Sequence, residues 1–215
     1  MDDLTAALLR LPDAFPDDPG PADDPFTIKD RFDIFVWYGP YVLVDDFDMV
    51  EQMRIWAPRV LRLLTSGELV GYTDKIPARF RQAGWPEWPP HRRAAVEDVL
   101  RAWWLATITE HPSPVHVTDV LSVVSHLSED VERWLTTWSA TGGVAAARQL
   151  SELLHGHVSW SYLIDDFEKE AADNVIWYWL QRHGVDLLLA LPPGETQDAA
   201  LAKLAEWESR GPWWL

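Results

Sequence analysis

Two short stretches of this chain carry the same arrangement of acids, Leu43-Val44-Asp45-Asp46-Phe47-Asp48 and Leu163-Ile164-Asp165-Asp166-Phe167-Glu168. Each is an apolar pair followed by two Asp, Phe and one more acid. If folding brings the stretches together, Asp45, Asp46, Asp48, Asp165, Asp166 and Glu168 crowd like charges, and such a cluster needs a metal ion or raised pKa values. Carboxylate oxygens suit Mg²⁺ or Mn²⁺, which keep waters and bind phosphorylated substrates. The chemistry is then that of a small metal-dependent hydrolase or phosphotransfer enzyme.

A second reading of the same residues needs no ligand. Asp at a helix cap or in a first turn accepts backbone N–H groups and meets the positive end of the helix dipole, worth about 0.5–2 kcal/mol for a cap. Two helix starts carry the same residues. This reading is favoured, because Met49 and Lys169 stand where the last Asp of a DDxxD diphosphate motif belongs. Glu152-Leu153-Leu154-His155-Gly156-His157 is a further candidate, since Glu and His three apart share a helix face as in di-iron bundles. No second Glu-x-x-His accompanies it, nor any His-Glu-x-x-His zinc motif. His155 and His157 read better as residues flanking a helix end closed by Gly156, where an imidazole meets the last carbonyls. There is no Gly-x-Ser-x-Gly elbow and no Gly-rich phosphate loop.

The elements that must position these residues are helical. The chain has fourteen Trp and no Cys, so disulfides, thiolate zinc and cysteine nucleophiles are excluded together. Indoles supply large apolar area with one N–H donor and suit helix junctions or interfaces. Trp103, Trp134, Trp177 and Trp179 sit in helical stretches and read as core or semi-core. Trp213 and Trp214, beyond Gly211-Pro212, either fold back or form a partner-binding surface.

Met1 to Leu11 reads as a short amphipathic helix stopped by Pro12, and residues 12–25 as an extended Pro/Asp-rich linker, so that 1–27 form an appendage to one helical domain over 28–215. Residues 28–44 fit two short helices better than a hairpin. From Asp46 the spacing is helical, with a kink or break at Pro58 and a stop at Gly67. Thr73-Asp74 opens a short helix closed by Gly84, Trp85 to Pro90 form a rigid corner, and His91 to Glu110 form a long helix. Val117–Leu127, Glu129–Ser139 and Ala145–Leu154 follow, started by Thr118, Ser128 and the Gly142-Gly143 break. Ile164–Leu191 reads as two helices around His183-Gly184, and Glu195–Glu208 as the last. The fold class is all-α, a compact multi-helix domain in which a degenerate HEAT-like array is an open possibility.

Two stretches, Trp56-Ala57-Pro58-Arg59-Val60-Leu61-Arg62-Leu63-Leu64 and GWPEWPPHRRAAVEDVLRAWW over 84–104, resemble a group of uncharacterised bacterial helical proteins. These carry a similar Pro-Arg-Leu helix, a Trp-Pro corner and a helix ending in Trp. The resemblance covers about half of the chain and implies an α-helical, HEAT-like fold, without assigning a catalytic role to any residue.

Net charge is −16 at pH 7, which argues against direct nucleic-acid binding, since phosphate contacts need clustered Lys and Arg. No apolar run is long enough for a membrane span, and the acidic opening is unlike a secretory signal, so a cytoplasmic location is expected. The expected role is non-catalytic, without a cofactor: a module recognising a basic protein partner, in the manner of an immunity or antitoxin factor. The sequence leaves the oligomeric state open.

Overall fold

The computed structural model describes residues 2–16, 46–69, 72–73, 75–128, 130–155 and 166–210, without the side chains of 46–52, 166–173 and 210. Among the described residues every regular element is helical. The chain divides into two compact units, Met1–Trp103 and Trp104–Leu215.

In the first unit, Asp2 in extended backbone caps α1 (Asp3–Ala14), its carboxylate accepting the Thr5 N–H at 2.7 Å. That backbone bond, with a second from the Thr5 hydroxyl, holds the Asp2 carboxyl below its ordinary range. Pro12, expected to stop the helix, lies inside it. Its missing N–H and ring clash cost about 3 kcal/mol in a helix interior. The last turn is nevertheless held, because Leu11 and Phe15 on either side of Pro12 are buried and the Phe15 N–H reaches the carbonyls of Leu11 and Pro12. The linker expected from residue 12 therefore cannot begin before Pro16, and α1 packs on α2 (Asp46–Ser66).

Helix α2 runs unbroken through Pro58, with Met53, Ala57, Val60, Leu61 and Leu64 in the core. The same apolar stripe that made this stretch read as helix anchors it on both sides of the proline. Helix α3 (Ile76–Gln82) ends where Gly84 takes φ +63°, a left-handed turn that favours glycine. A 3-10 turn over Trp85–Glu87 and Pro90 at the first turn of α4 (Pro90–Thr109) make the expected corner. Phe15, Phe80 and Trp88 pack there, with ring centroids 5.9 and 5.8 Å from Trp88, whose indole N–H donates to Ala83 O at 2.9 Å. Arg54 of α2 donates to the same carbonyl at 3.3 Å. The WAPRVLRLL stretch lies within α2, and the residues 84–104 form the corner and most of α4.

The second unit contains the end of α4 and five further helices, α5 (Val117–Ser128), α6 (Val131–Thr141), α7 (Gly143–His155), α8 (Asp166–Leu188) and α9 (Glu195–Arg210). Helix α8 packs against α6, α7 and α9. Its unbroken course through Gly184 corrects the expectation of two helices. A Cβ at Gly184 would stand 2.8 Å from Leu204 Cδ2, so the glycine serves the approach of α9 and does not end α8. The start of α6 is also corrected: Asp130 caps it, accepting the Arg133 N–H at 3.0 Å. Ser128 instead ends α5, its hydroxyl donating to Val124 O and accepting the Trp134 indole N–H at 2.7 Å.

Indoles fill the centre of this unit. Trp104 meets Trp134 and Trp138 edge-on at 6.5 and 5.4 Å, and Trp138 meets Trp179 at 5.2 Å. The Trp104 N–H donates to Trp134 O at 3.0 Å and the Trp138 N–H to Ala146 O at 3.2 Å, which ties α6 to both α4 and α7. Trp103, Trp134 and Trp179 are buried and Trp177 is half-buried, as their helical positions implied. Among the described residues no helix is long and apolar enough to cross a membrane.

Candidate functional site

The chain leaves α4 at Thr109 and enters α5 at Val117 through a connection containing His111 and His116. Helix α7 lies against the start of this connection. His111 donates from Nε2 to Glu152 Oε1 at 2.7 Å, and Gln149, one turn earlier on the same face of α7, donates from Nε2 to Glu110 O at 2.9 Å. Two adjacent residues of the connection thus meet two α7 residues spaced three apart. Gln149 is fully buried, between the core residues Ala146, Leu150 and Leu153 of the same helix. Its Oε1 has no hydrogen-bond partner among the described residues.

The His111 and Glu152 side chains are 22% and 39% exposed. A pair this accessible contributes at most about 1 kcal/mol, because water screens it. A carboxylate on one imidazole nitrogen fixes the tautomer and orients the ring, which is the second half of a catalytic relay. The first half needs a nucleophile bonded to the other nitrogen, and among the described residues no hydroxyl is bonded to His111 Nδ1. The geometry supports a different job. Gln149 and Glu152 tie the α4–α5 connection to α7, the buried amide fixing the backbone at Glu110 and the His111–Glu152 hydrogen bond closing the outer edge.

Glu152 therefore faces His111 across the fold. His155 donates from Nδ1 to Ser151 O at 2.7 Å, a bond to a last-turn carbonyl of its own helix, as read from the sequence. His126 does the same with Ser122 O at 2.8 Å. His157 lies outside the described residues.

The acid clusters fall at helix starts. Asp46 is the first residue of α2 and Asp166 the first of α8, with Asp48 and Glu168 in the respective first turns. Their side chains, and the whole of Asp45 and Asp165, lie outside the described residues, as do Trp213, Trp214 and residues 28–44. Among the described residues no three His, Asp or Glu side chains group as metal ligands.

The His111–Glu152 and Gln149–Glu110 contacts were not read from the sequence, since their partners are 41 and 39 residues apart. One signal was present. Gln149 interrupts an otherwise apolar helix face, and a buried amide needs a hydrogen-bond partner from elsewhere in the fold. No protein-family model matches the chain, and neither a curated protein nor a solved structure matches it significantly.

Proposed function

We propose that the chain is a non-catalytic helical binding module, built as a helical array related to HEAT repeats and acting in the cytoplasm, whose ligand is a basic protein. The observation that carries this reading is the net charge of −16. In the second unit the acids Asp130 and Glu132 at the start of α6, and Glu195 and Asp198 at the start of α9, are exposed. In the first, Asp2, Asp3 and Asp13 on α1 and Glu87 and Glu97 around the corner are exposed as well. Those at helix starts stabilise their own helices, and all of them together set a field that draws a basic partner in. Neutralising a basic protein, as an immunity or antitoxin factor does, is the role this chemistry suits best.

The test is an association rate. A partner captured on the immobilised chain from its native cytoplasm is purified, and its binding is followed by stopped flow from low to physiological ionic strength. Steered association slows steeply as salt screens the field. Failure to capture any partner, or a rate indifferent to salt, would count against the reading.

A further inference from the structure

In its C-terminal half helix α8 carries apolar side chains on opposite sides, Ile176 and Leu180 on one and Tyr178 and Val185 on the other. The second unit covers one half of it, where Ile176, Leu180 and Leu187 are buried. On the other half Tyr178, Val185 and Leu189 are 57%, 45% and 56% exposed. The Leu189 N–H still donates to Val185 O, so the helical face extends to it. With exposed Arg182, these residues recur at spacings of four, three and four, the a/d period of a two-helix seam. Scattered exposed apolar residues are ordinary. A seam of three on one side of a helix, over about 16 Å, is not scattered.

The charges on this face identify what covers it. Arg182 and Asp186 are both exposed, one turn apart, and neither forms an ion pair among the described residues. In a chain of net charge −16 this face is locally neutral. A basic partner finds no excess of acid here and meets Arg182. A second copy of the same face finds its complement.

We infer that α8 pairs with α8 of a second copy, antiparallel about a two-fold axis that passes between His183 and Gly184. In that register Tyr178 lies against the partner's Leu189, and the Arg182 stem lies over the partner's Val185. The Arg182 guanidinium, at the end of its apolar stem, then reaches the partner's Asp186. The symmetry repeats each contact, as an isologous interface requires. Three apolar side chains per copy bury far less than the roughly 1,200–2,000 Å² of a stable interface. The dimer is therefore a weak, concentration-dependent one.

Sedimentation equilibrium of the full chain, from low micromolar to submillimolar concentration at physiological salt, tests the pairing. The expected result is a monomer–dimer equilibrium that Val185→Glu abolishes while helical circular dichroism is unchanged. Arg182→Asp and Asp186→Arg each weaken dimerisation at least about tenfold, because each change acts at both symmetric pairs. The double reversal R182D/D186R brings it back to within about threefold of the original, since the pair is re-formed with its signs exchanged. A chain monomeric at every concentration overturns the inference, as does a dimer indifferent to Val185→Glu or one the double reversal does not rescue. Loss of a captured foreign partner on Val185→Glu, with the original chain monomeric, also overturns it and assigns the face to that partner.

Discussion

The two units solve the same aromatic packing problem in different ways. In Met1–Trp103 the cluster of Phe15, Phe80 and Trp88 gathers around a corner, and the Trp88 N–H goes to a carbonyl only five residues back. In Trp104–Leu215 the indoles of Trp134, Trp104, Trp138 and Trp179 pass contact from one to the next, and the bonds of Trp104 and Trp138 join different helices. An aromatic corner fixes a turn of the chain, whereas a run of interlocked indoles fixes the crossing of several helices. The second arrangement makes distant segments depend on single side chains.

The substitution expected to hurt most is therefore Trp138→Ala. It removes two ring contacts and the bond to Ala146 O from a fully buried site, at a cost of about 3–5 kcal/mol in urea unfolding. If Trp88→Ala proves clearly more damaging, the contrast between the units is wrong. The glycines sharpen the same contrast. Gly184→Val drives two methyls into the space of buried Leu204 in the second unit, an overpacking cost of about 1–3 kcal/mol by the same measurement. Gly84→Ala in the first unit has room for its Cβ and costs about 1 kcal/mol through its left-handed backbone alone.

Each unit also holds one acid cluster, at the starts of α2 and α8. Asp46→Asn and Asp166→Asn are each expected to cost less than about 1 kcal/mol, with or without Mg²⁺ or Mn²⁺, because a first-turn carboxylate gains about 0.3–1 kcal/mol from the helix dipole. A thermal midpoint that rises with metal and loses that rise in the double variant would reinstate the carboxylate metal centre. The smallest effect is confined to α1. The Asp2 carboxyl is held below its ordinary value of 3.8, so its stabilisation is complete above that value and is lost as pH falls through the lowered one. Amide exchange in α1 should accelerate at acid pH relative to α4, and Asp2→Asn should flatten that difference.

Helix existence was legible wherever apolar spacing was sustained, as at Met53, Ala57, Val60 and Leu64 on either side of Pro58. The misreadings share one cause. The intrinsic preferences of Pro12 and Gly184 point to breaks, yet Phe15 burial holds one and Leu204 contact uses the other, and both depend on residues that only the fold brings near. Ser128 shows the same limit, because an Asp two residues later offers a carboxylate to the N–H groups that the serine was expected to cap. The His111–Glu152 tie was invisible for want of any local pattern linking the two residues. Glu152 was grouped with His155 by spacing, although His155 was already committed to its own helix carbonyl.

Rings as close as those of Trp104, Trp138 and Trp179, at 5.2–5.4 Å between successive centroids, do not absorb light independently. Their transition dipoles couple, so the second unit should give an exciton couplet from the intense far-ultraviolet indole band in circular dichroism that the tightly folded chain alone possesses. Excitation absorbed by any of the three is shared among them, and emission reports on the group. The indole run that locks the helix crossings is thus also an optical gauge of whether they are locked.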